Sequence, residues 1–357
     1  MNINMARYLI IIPTLEPSDD FIDYCQTLCQ YDLGDVLIVN DGSSERTQWI
    51  FNQLDENPAI TVLHHHKNRG KGRALKTAFE YFLAHAETNH WDGLVTVDSD
   101  GQHTIQDVKK IIQTLNNTTD AIVLGSRCFD ETNVPFKSQF GNKLTTLLFK
   151  LLYGQSIQDT QTGLRGIHTQ VVPAFMNLSG ERFEFEMRML TEAIKQQIKV
   201  VEVPIKTVYI DENSGTHFRP IKDSIEIYAV LFSTISFFIF ISLVSFIIDI
   251  AVFKGVITVL SETGLASRIL IATIIARVLS SIFNFLCNHF FVFASRTSLT
   301  NNMLKYYGLV IVQLLLSALL VYLGHQWIGF SETGTKVIVD IVLFLISYQV
   351  QARVIFR

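Results

Sequence analysis

Cysteine is scarce in this chain, and what there is makes no pattern. Four cysteines among 357 residues (Cys25, Cys29, Cys128 and Cys287) give no disulfide framework. No second Cys/His pair follows Cys25 and Cys29 at metal-ligand spacing. Reduced, structural thiols fit best, which suits a soluble half in the cytosol. A G-x-x-x-x-G-K-[ST] phosphate loop is also lacking. So is a Q-x-x-R-W run, the acceptor motif expected of a processive polysaccharide synthase, around Trp49, Trp91 or Trp327. The first apolar run, YLIIIP, is too short for a signal-peptide core and is broken by Pro13, so it reads as a buried first strand. The net charge of −4 argues neither for nor against an acidic partner. No nucleic-acid partner is expected.

Charge is low too, at 17%, and it is unevenly spread. Up to about Asp223 charges and turn signals alternate; beyond Ile227 the chain is almost continuously apolar. Tyr228–Ile248 contains no charge, and a bilayer crossing takes about 20 residues. The expected organisation is a soluble domain over 1–223 and a membrane domain over 224–357, with spans near 228–250, 269–293, 306–324 and 337–356. An even number of spans returns the C-terminus to the side of the N-terminal domain. Arg219, Lys222, Arg296, Lys305, Arg353 and Arg357 then share that side, against Lys254, Arg268 and Lys336 opposite. That bias predicts an integral, multi-pass cell-membrane protein with its soluble domain and both termini cytoplasmic. Asp249, Arg277 and Asp340 fall in or beside spans and are expected to form ion pairs or snorkel to the interface, the alternative being a polar track for a lipid phosphate. SETG recurs at 261–264 and 331–334, and the second and fourth spans end in NFLCNHFFVF and SYQVQARVIF. Polar residues at matching places suggest a duplicated hairpin.

In the soluble half, short apolar runs (8–12, 36–39, 60–63, 94–97, 121–125) alternate with helical patterns (21–30, 47–54, 73–86, 105–115). This predicts an α/β, Rossmann-like, mostly parallel sheet covered on both faces. Ligands bind such sheets beyond the carboxyl ends of the strands. Those ends read PTLE, NDGSS, HHHKNRGKGR, DSDGQH and GSR. Turn chemistry explains the Gly, Asn, Asp and Ser; it does not explain a Lys/Arg cluster facing two carboxylates. Lys71 and Arg73 at a helix start oppose the macrodipole unless an anion or acid compensates them, which marks them as ligand contacts. His64–His66 lie consecutively, point to alternate faces, and read as loop residues near the site. In DSDGQ an extended D-x-D places both carboxylates on one side of the chain. Their oxygens, with an amide, suit Mg²⁺ or Mn²⁺ bridging a diphosphate.

Taken in order, PTLE, VNDGSS, NRGKG, VDSDGQ and GSR resemble family-2 glycosyltransferases of the GT-A fold. DTQTGLRG (159–166) and ERFEFEM (181–187) narrow the resemblance to the dolichyl/polyprenyl-phosphate sugar synthase branch. The apolar half, with FIIDIAVF, IARVLSSIFNFLCNHFFVF and LFLISYQVQARVIF, is similar to the GtrA-like four-helix membrane domain. The resemblance implies inverting transfer of one sugar from a nucleotide diphosphate sugar to a polyprenyl phosphate, with undecaprenyl phosphate favoured. By position, Pro13, Thr14, Glu16, Val39 and Asp41 would frame the nucleoside, with Lys71, Asp98, Ser99 and Asp100 on the sugar nucleotide. Asp98, Asp100 and Gln102 would hold Mg²⁺ or Mn²⁺. Arg127, Arg165, His217 and Arg219 would take the acceptor phosphate, and Asp98, Asp100, Arg127 and Asp159 would form the catalytic set. Asp159 would orient the acceptor or an arginine, or else cap TQTG.

Glu16 departs from the family pattern P-A-Y-N-E, sitting one place early. A phosphate monoester with a second pKa near 6 is largely dianionic at neutral pH, so no strong general base is needed. Alternatives are a membrane scaffold or lipid-linked sugar flippase with a nucleotide-sugar-sensing domain, or a processive synthase. Homo-oligomerisation is left open.

Overall fold

The computed structural model describes residues 7–127, 136–206, 219–261, 265–295, 297–328 and 332–356. Cys128 and His217 lie outside them, as does most of the first SETG. The chain divides into two compact units, residues 1–151 with 155–231, and residues 152–154 with 232–357.

The first unit is built on seven strands: β1 (Arg7–Thr14), β2 (Asp35–Asn40), β3 (Ile60–His64), β4 (Trp91–Thr96), β5 (Ala121–Arg127), β6 (Arg165–His168) and β7 (Lys199–Ile205). The sheet order is β3-β2-β1-β4-β6-β5-β7. Every pairing is parallel except those of β6, which runs antiparallel to β4 and β5. Leu9 to Ile12 of β1 are at most 1% exposed, as expected of a strand covered on both faces.

Helices α1 (Asp20–Gln30), α2 (Gln48–Asp55), α3 (Lys71–Asn89) and α4 (Ile105–Asn116) connect the first five strands. Helix α4 shows why these segments fold locally. The Thr104 hydroxyl accepts from the Asp107 N–H and donates to the Asp107 carboxylate at 2.6 Å, closing the first turn. Val108, Ile111, Ile112 and Leu115 follow at helical spacing and are buried, each worth about 2 kcal/mol in apolar burial. Helices α5 (Phe136–Tyr153) and α6 (Glu184–Lys195) lie in the stretches flanking β6. Strand order reverses between β1 and β4, so the crevice for a ligand opens at their carboxyl ends.

Four described helices are long and apolar enough to cross a membrane. They are α7 (Pro220–Val259), whose first turns belong to the first unit, α8 (Leu265–Cys287), α9 (Leu299–Ile328) and α10 (Glu332–Val350). Both α8 and α10 pass into one π-helical turn, Asn288–Val292 and Gln351–Ile355.

The internal echo extends to hydrogen bonds. Asn284 of α8 donates to Ser245 of α7 at 3.0 Å, and Ser347 of α10 donates to Gln313 of α9 at 3.3 Å. The two hairpins meet where Asn288 donates to Gln351 at 3.1 Å, first residue of one π turn to first residue of the other. A buried polar ladder thus joins all four helices, each rung adding about 0.6 kcal/mol in a bilayer. Asp249 pairs with Arg277 at 3.8 Å and accepts from Ser280. Asp340 takes Lys336 and Ser317.

Candidate active site

A cavity of about 430 Å³ lies at the switch point. Its wall takes Pro13, Thr14 and Leu15 from the end of β1, Asp41 after β2, and Asp98, Ser99 and Asp100 after β4. Asn68, Gly70, Lys71 and Ala74 come from the start of α3, with Arg182, Phe183 and Arg219 from farther along the chain. Seven of the nine expected nucleotide-sugar residues, Lys71 among them, therefore share one cavity with Arg219.

Lys71 is the hub. Its ammonium lies 2.6 Å from Asp98 Oδ1 and 3.0 Å from Glu186 Oε1, with the Phe183 ring centroid at 5.7 Å. Burial would lower its pKa, but Asp98 and Glu186 outweigh that and hold it above the ordinary lysine value. The unfavourable basic helix start is compensated by acids of the chain itself. Arg73 likewise is taken up by a bidentate pair with Glu181 and does not line the cavity.

The two acids of D-x-D are held apart electrostatically. Burial would raise the Asp98 carboxyl, yet Lys71 and His103 reverse this and hold it below the usual carboxylate range. Asp100 is pushed up, first by burial and then by the neighbouring Asp98 charge. His103 stands 3.4 Å from Asp98 Oδ2, which gives this residue a place beside the acid pair. Gln102 is outside the cavity wall, and its backbone N–H donates to Asp100 Oδ1 at 3.1 Å. Among the described residues no group of three or more His, Cys, Asp or Glu is arranged to hold a metal. A carboxylate pair at the cavity floor does fit a hard divalent cation that keeps waters and shares its shell with a diphosphate.

Other expected residues act on loops. The Asp41 carboxylate accepts from His65, from the Arg69 N–H at 3.0 Å and from the Gly70 N–H at 2.7 Å. It therefore pins the NRGKG loop as well as lining the cavity. Glu16 accepts from the Ser44 N–H and hydroxyl, tying the end of β1 to NDGSS outside the cavity wall. Val39 is wholly buried in β2.

Arg127 makes a forked pair with Asp159, Nε to Oδ2 at 2.6 Å and Nη2 to Oδ1 at 3.0 Å. Asp159 also accepts from the Gln161 N–H, so it both orients an arginine and caps its own loop. Arg165 is placed differently from the expectation of a phosphate ligand. It is 1% exposed and donates to the carbonyls of Thr160, Thr162 and Glu186, bracing the 159–164 loop from inside.

Arg182 and Phe183 were missed from sequence. They arrive because the 181–185 segment packs directly on α3. A Cβ on Gly72 would stand 2.7 Å from Phe185 Cβ and 2.8 Å from the Arg182 carbonyl. The second glycine of NRGKG thus serves close backbone approach. Because backbone cannot give way, Gly72→Ala is expected to cost about 1–3 kcal/mol of stability, read as a lowered thermal midpoint, with activity lost in proportion to fold.

Comparison with known proteins completes the description. Residues 10–174 match the model of glycosyl transferase family 2, and residues 237–356 match the GtrA/DPMS transmembrane domain. A UDP-N-acetylglucosamine–dolichyl-phosphate N-acetylglucosaminyltransferase of Methanococcus voltae is 29% identical over 58% of this chain and 88% of its own. An undecaprenyl-phosphate mannosyltransferase of Micrococcus luteus is 27% identical over 49% and 72%. A dolichyl-phosphate beta-glucosyltransferase of Saccharomyces cerevisiae is 28% identical over 50% and 58%.

Proposed function

We propose that the chain, a glycosyltransferase that joins a family-2 domain to a GtrA/DPMS transmembrane domain, moves one sugar from a nucleotide diphosphate sugar to a polyprenyl phosphate. The observation that carries this reading is one cavity, at the switch point, where the D-x-D acids meet Lys71, Arg182 and Arg219. Acids suit a cation on a diphosphate; the basic side chains offset the charge of two polyanionic substrates brought together. The activities named for these three relatives, transfers to dolichyl or undecaprenyl phosphate, support the acceptor class.

Helix α5 supports a lipid substrate as well. Phe140, Leu147 and Leu151 are 60%, 54% and 51% exposed and, with half-buried Leu144, form one stripe, with exposed Lys143 and Lys150 on the same helix. An apolar stripe left in the open beside lysines suits the headgroup boundary of a bilayer. On the lysine and arginine bias of the loops, the catalytic unit and both termini lie in the cytoplasm.

In this reading Asp98 and Asp100 would hold Mg²⁺ or Mn²⁺, which when bound would stabilise the departing nucleoside diphosphate. The protein's own residues do the rest. An oxygen of the acceptor phosphate attacks the anomeric carbon while the bond to the diphosphate oxygen breaks, inverting that centre. Lys71 keeps Asp98 ionised and placed, and Arg127, held by Asp159, meets the acceptor phosphate.

The test is transfer of radiolabelled sugar by the purified full chain. UDP-glucose, UDP-GlcNAc and GDP-mannose are offered with undecaprenyl or dolichyl phosphate. An organic-extractable, mild-acid-labile product is expected with one donor. No lipid product from any pairing would sink the reading and favour a scaffold.

A further inference from the structure

A single carboxylate outside the family motifs holds two of the three cations in the cavity wall. Asp223 sits in the first turn of α7, with a side chain 0% exposed. Arg182 donates to it through Nε at 3.0 Å and Nη2 at 3.4 Å. Arg219 donates its backbone N–H at 2.6 Å and Nη2 at 3.1 Å. One buried anion therefore brings two guanidinium groups together, a triad of net positive charge beside Lys71, whose own charge Asp98 and Glu186 take up. A structural staple would need only one of these arginines; the second adds repulsion that a further anion offsets.

The donors are not exhausted. A guanidinium carries five N–H groups; Arg182 places two and Arg219 one on Asp223. Both arginines line the cavity, which leaves N–H donors for what enters it. Forked N–H pairs match phosphate oxygens in geometry as well as charge. The charge-free run of α7 begins at Tyr228, five residues after Asp223, a rise of about 7.5 Å. The clamp thus stands just before the membrane-crossing stretch of the same helix.

We propose that Asp223 is a positioning residue that sets Arg182 and Arg219 as a paired clamp for a phosphate group of one of the two substrates. This rests on the transfer reading above and adds the first turn of the first membrane helix to the active site. The shared chemistry is a phosphate oxyanion; its source is either the donor's diphosphate or the acceptor's monoester.

Equilibrium binding of UDP, GDP and a short-chain prenyl phosphate to the full chain, with Mg²⁺ present, separates the sources. Asp223→Asn is expected to weaken one class of probe by about tenfold or more, with KM for the matching substrate raised and kcat little changed. Arg182→Gln, which leaves Asp223 paired to Arg219, should weaken the same class. The double variant should be no weaker than Asp223→Asn alone, because Asp223 acts through the two arginines. Loss of nucleoside diphosphate binding alone assigns the clamp to the donor, and loss of prenyl phosphate binding alone assigns it to the acceptor. If every probe binds both single variants as it binds the unaltered chain, the clamp is overturned while the transfer reading stands. If the unaltered chain binds none of the probes, both fall together.

Discussion

Asp100→Ala is expected to abolish sugar transfer while the chain still folds and inserts. Asp100 stands on the turn after β4, where it lines the cavity and supports no strand or helix core. Among the described residues its one hydrogen bond is from the Gln102 N–H two residues on. Removing the carboxylate therefore costs little stability. Its electrostatic surroundings tell against a decorative acid, since burial and the charge of Asp98 both oppose its ionisation. A group held at such a cost earns its place when a cation arrives. Loss of several kcal/mol of leaving-group stabilisation corresponds to about a thousandfold or more in rate. Two measurements decide it: transfer rate, and Mn²⁺ binding followed by electron paramagnetic resonance. Near wild-type transfer by purified Asp100→Ala would refute the metal assignment.

What could be read from the sequence was what is local. Strands β1 to β5 announce themselves as apolar runs that end in turn residues, and the D-x-D pair, Lys71 and Asp41 sit within a few positions of those ends. The four apolar helices are legible for the same reason, since a strongly apolar run of bilayer length with at most a few charges needs no partner to be recognised. Strand β6 was not legible: RGIH is four residues with one β-branched side chain, and its antiparallel insertion between β4 and β5 is set by pairing on both sides.

The harder cases are arginines. Arg165 and Arg182 look alike in sequence, each inside a motif, yet the first is spent on three carbonyls and the second faces the cavity. Nothing local separates them, because burial is decided by packing from distant segments. Arg182 meets Asp223 across 41 residues, a distance over which no spacing rule applies. Polar residues at the ends of the second and fourth spans did carry a readable signal. Their echo in sequence became a shared rung between Asn288 and Gln351.

Gly163→Ala should separate chemistry from fold in the opposite way to Gly72→Ala. A Cβ at Gly163 would lie inside van der Waals contact of both Asp98 carboxylate oxygens and of their carbon. One side of that clash has to yield, and the loop is the stiffer side. Thr96 donates its hydroxyl to the Gly163 carbonyl at 2.7 Å, the Leu164 N–H donates to Thr162, and Arg165 grips the carbonyls of Thr160 and Thr162 from within the core. The Asp98 carboxylate, one-quarter exposed at the end of a short side chain, is the side that turns, and Glu186 still holds the Lys71 it leaves. The carboxylate would then leave Lys71 and the line it shares with Asp100. A displacement of about 1 Å in a catalytic group costs on the order of a hundredfold in kcat, so that loss is expected with the thermal midpoint nearly unchanged. Gly72→Ala, wedged against backbone and the root of a phenylalanine, is expected to lose midpoint and activity together. If Gly163→Ala instead melts early and keeps its specific activity when folded, the loop yields and Asp98 is not held by contact with it.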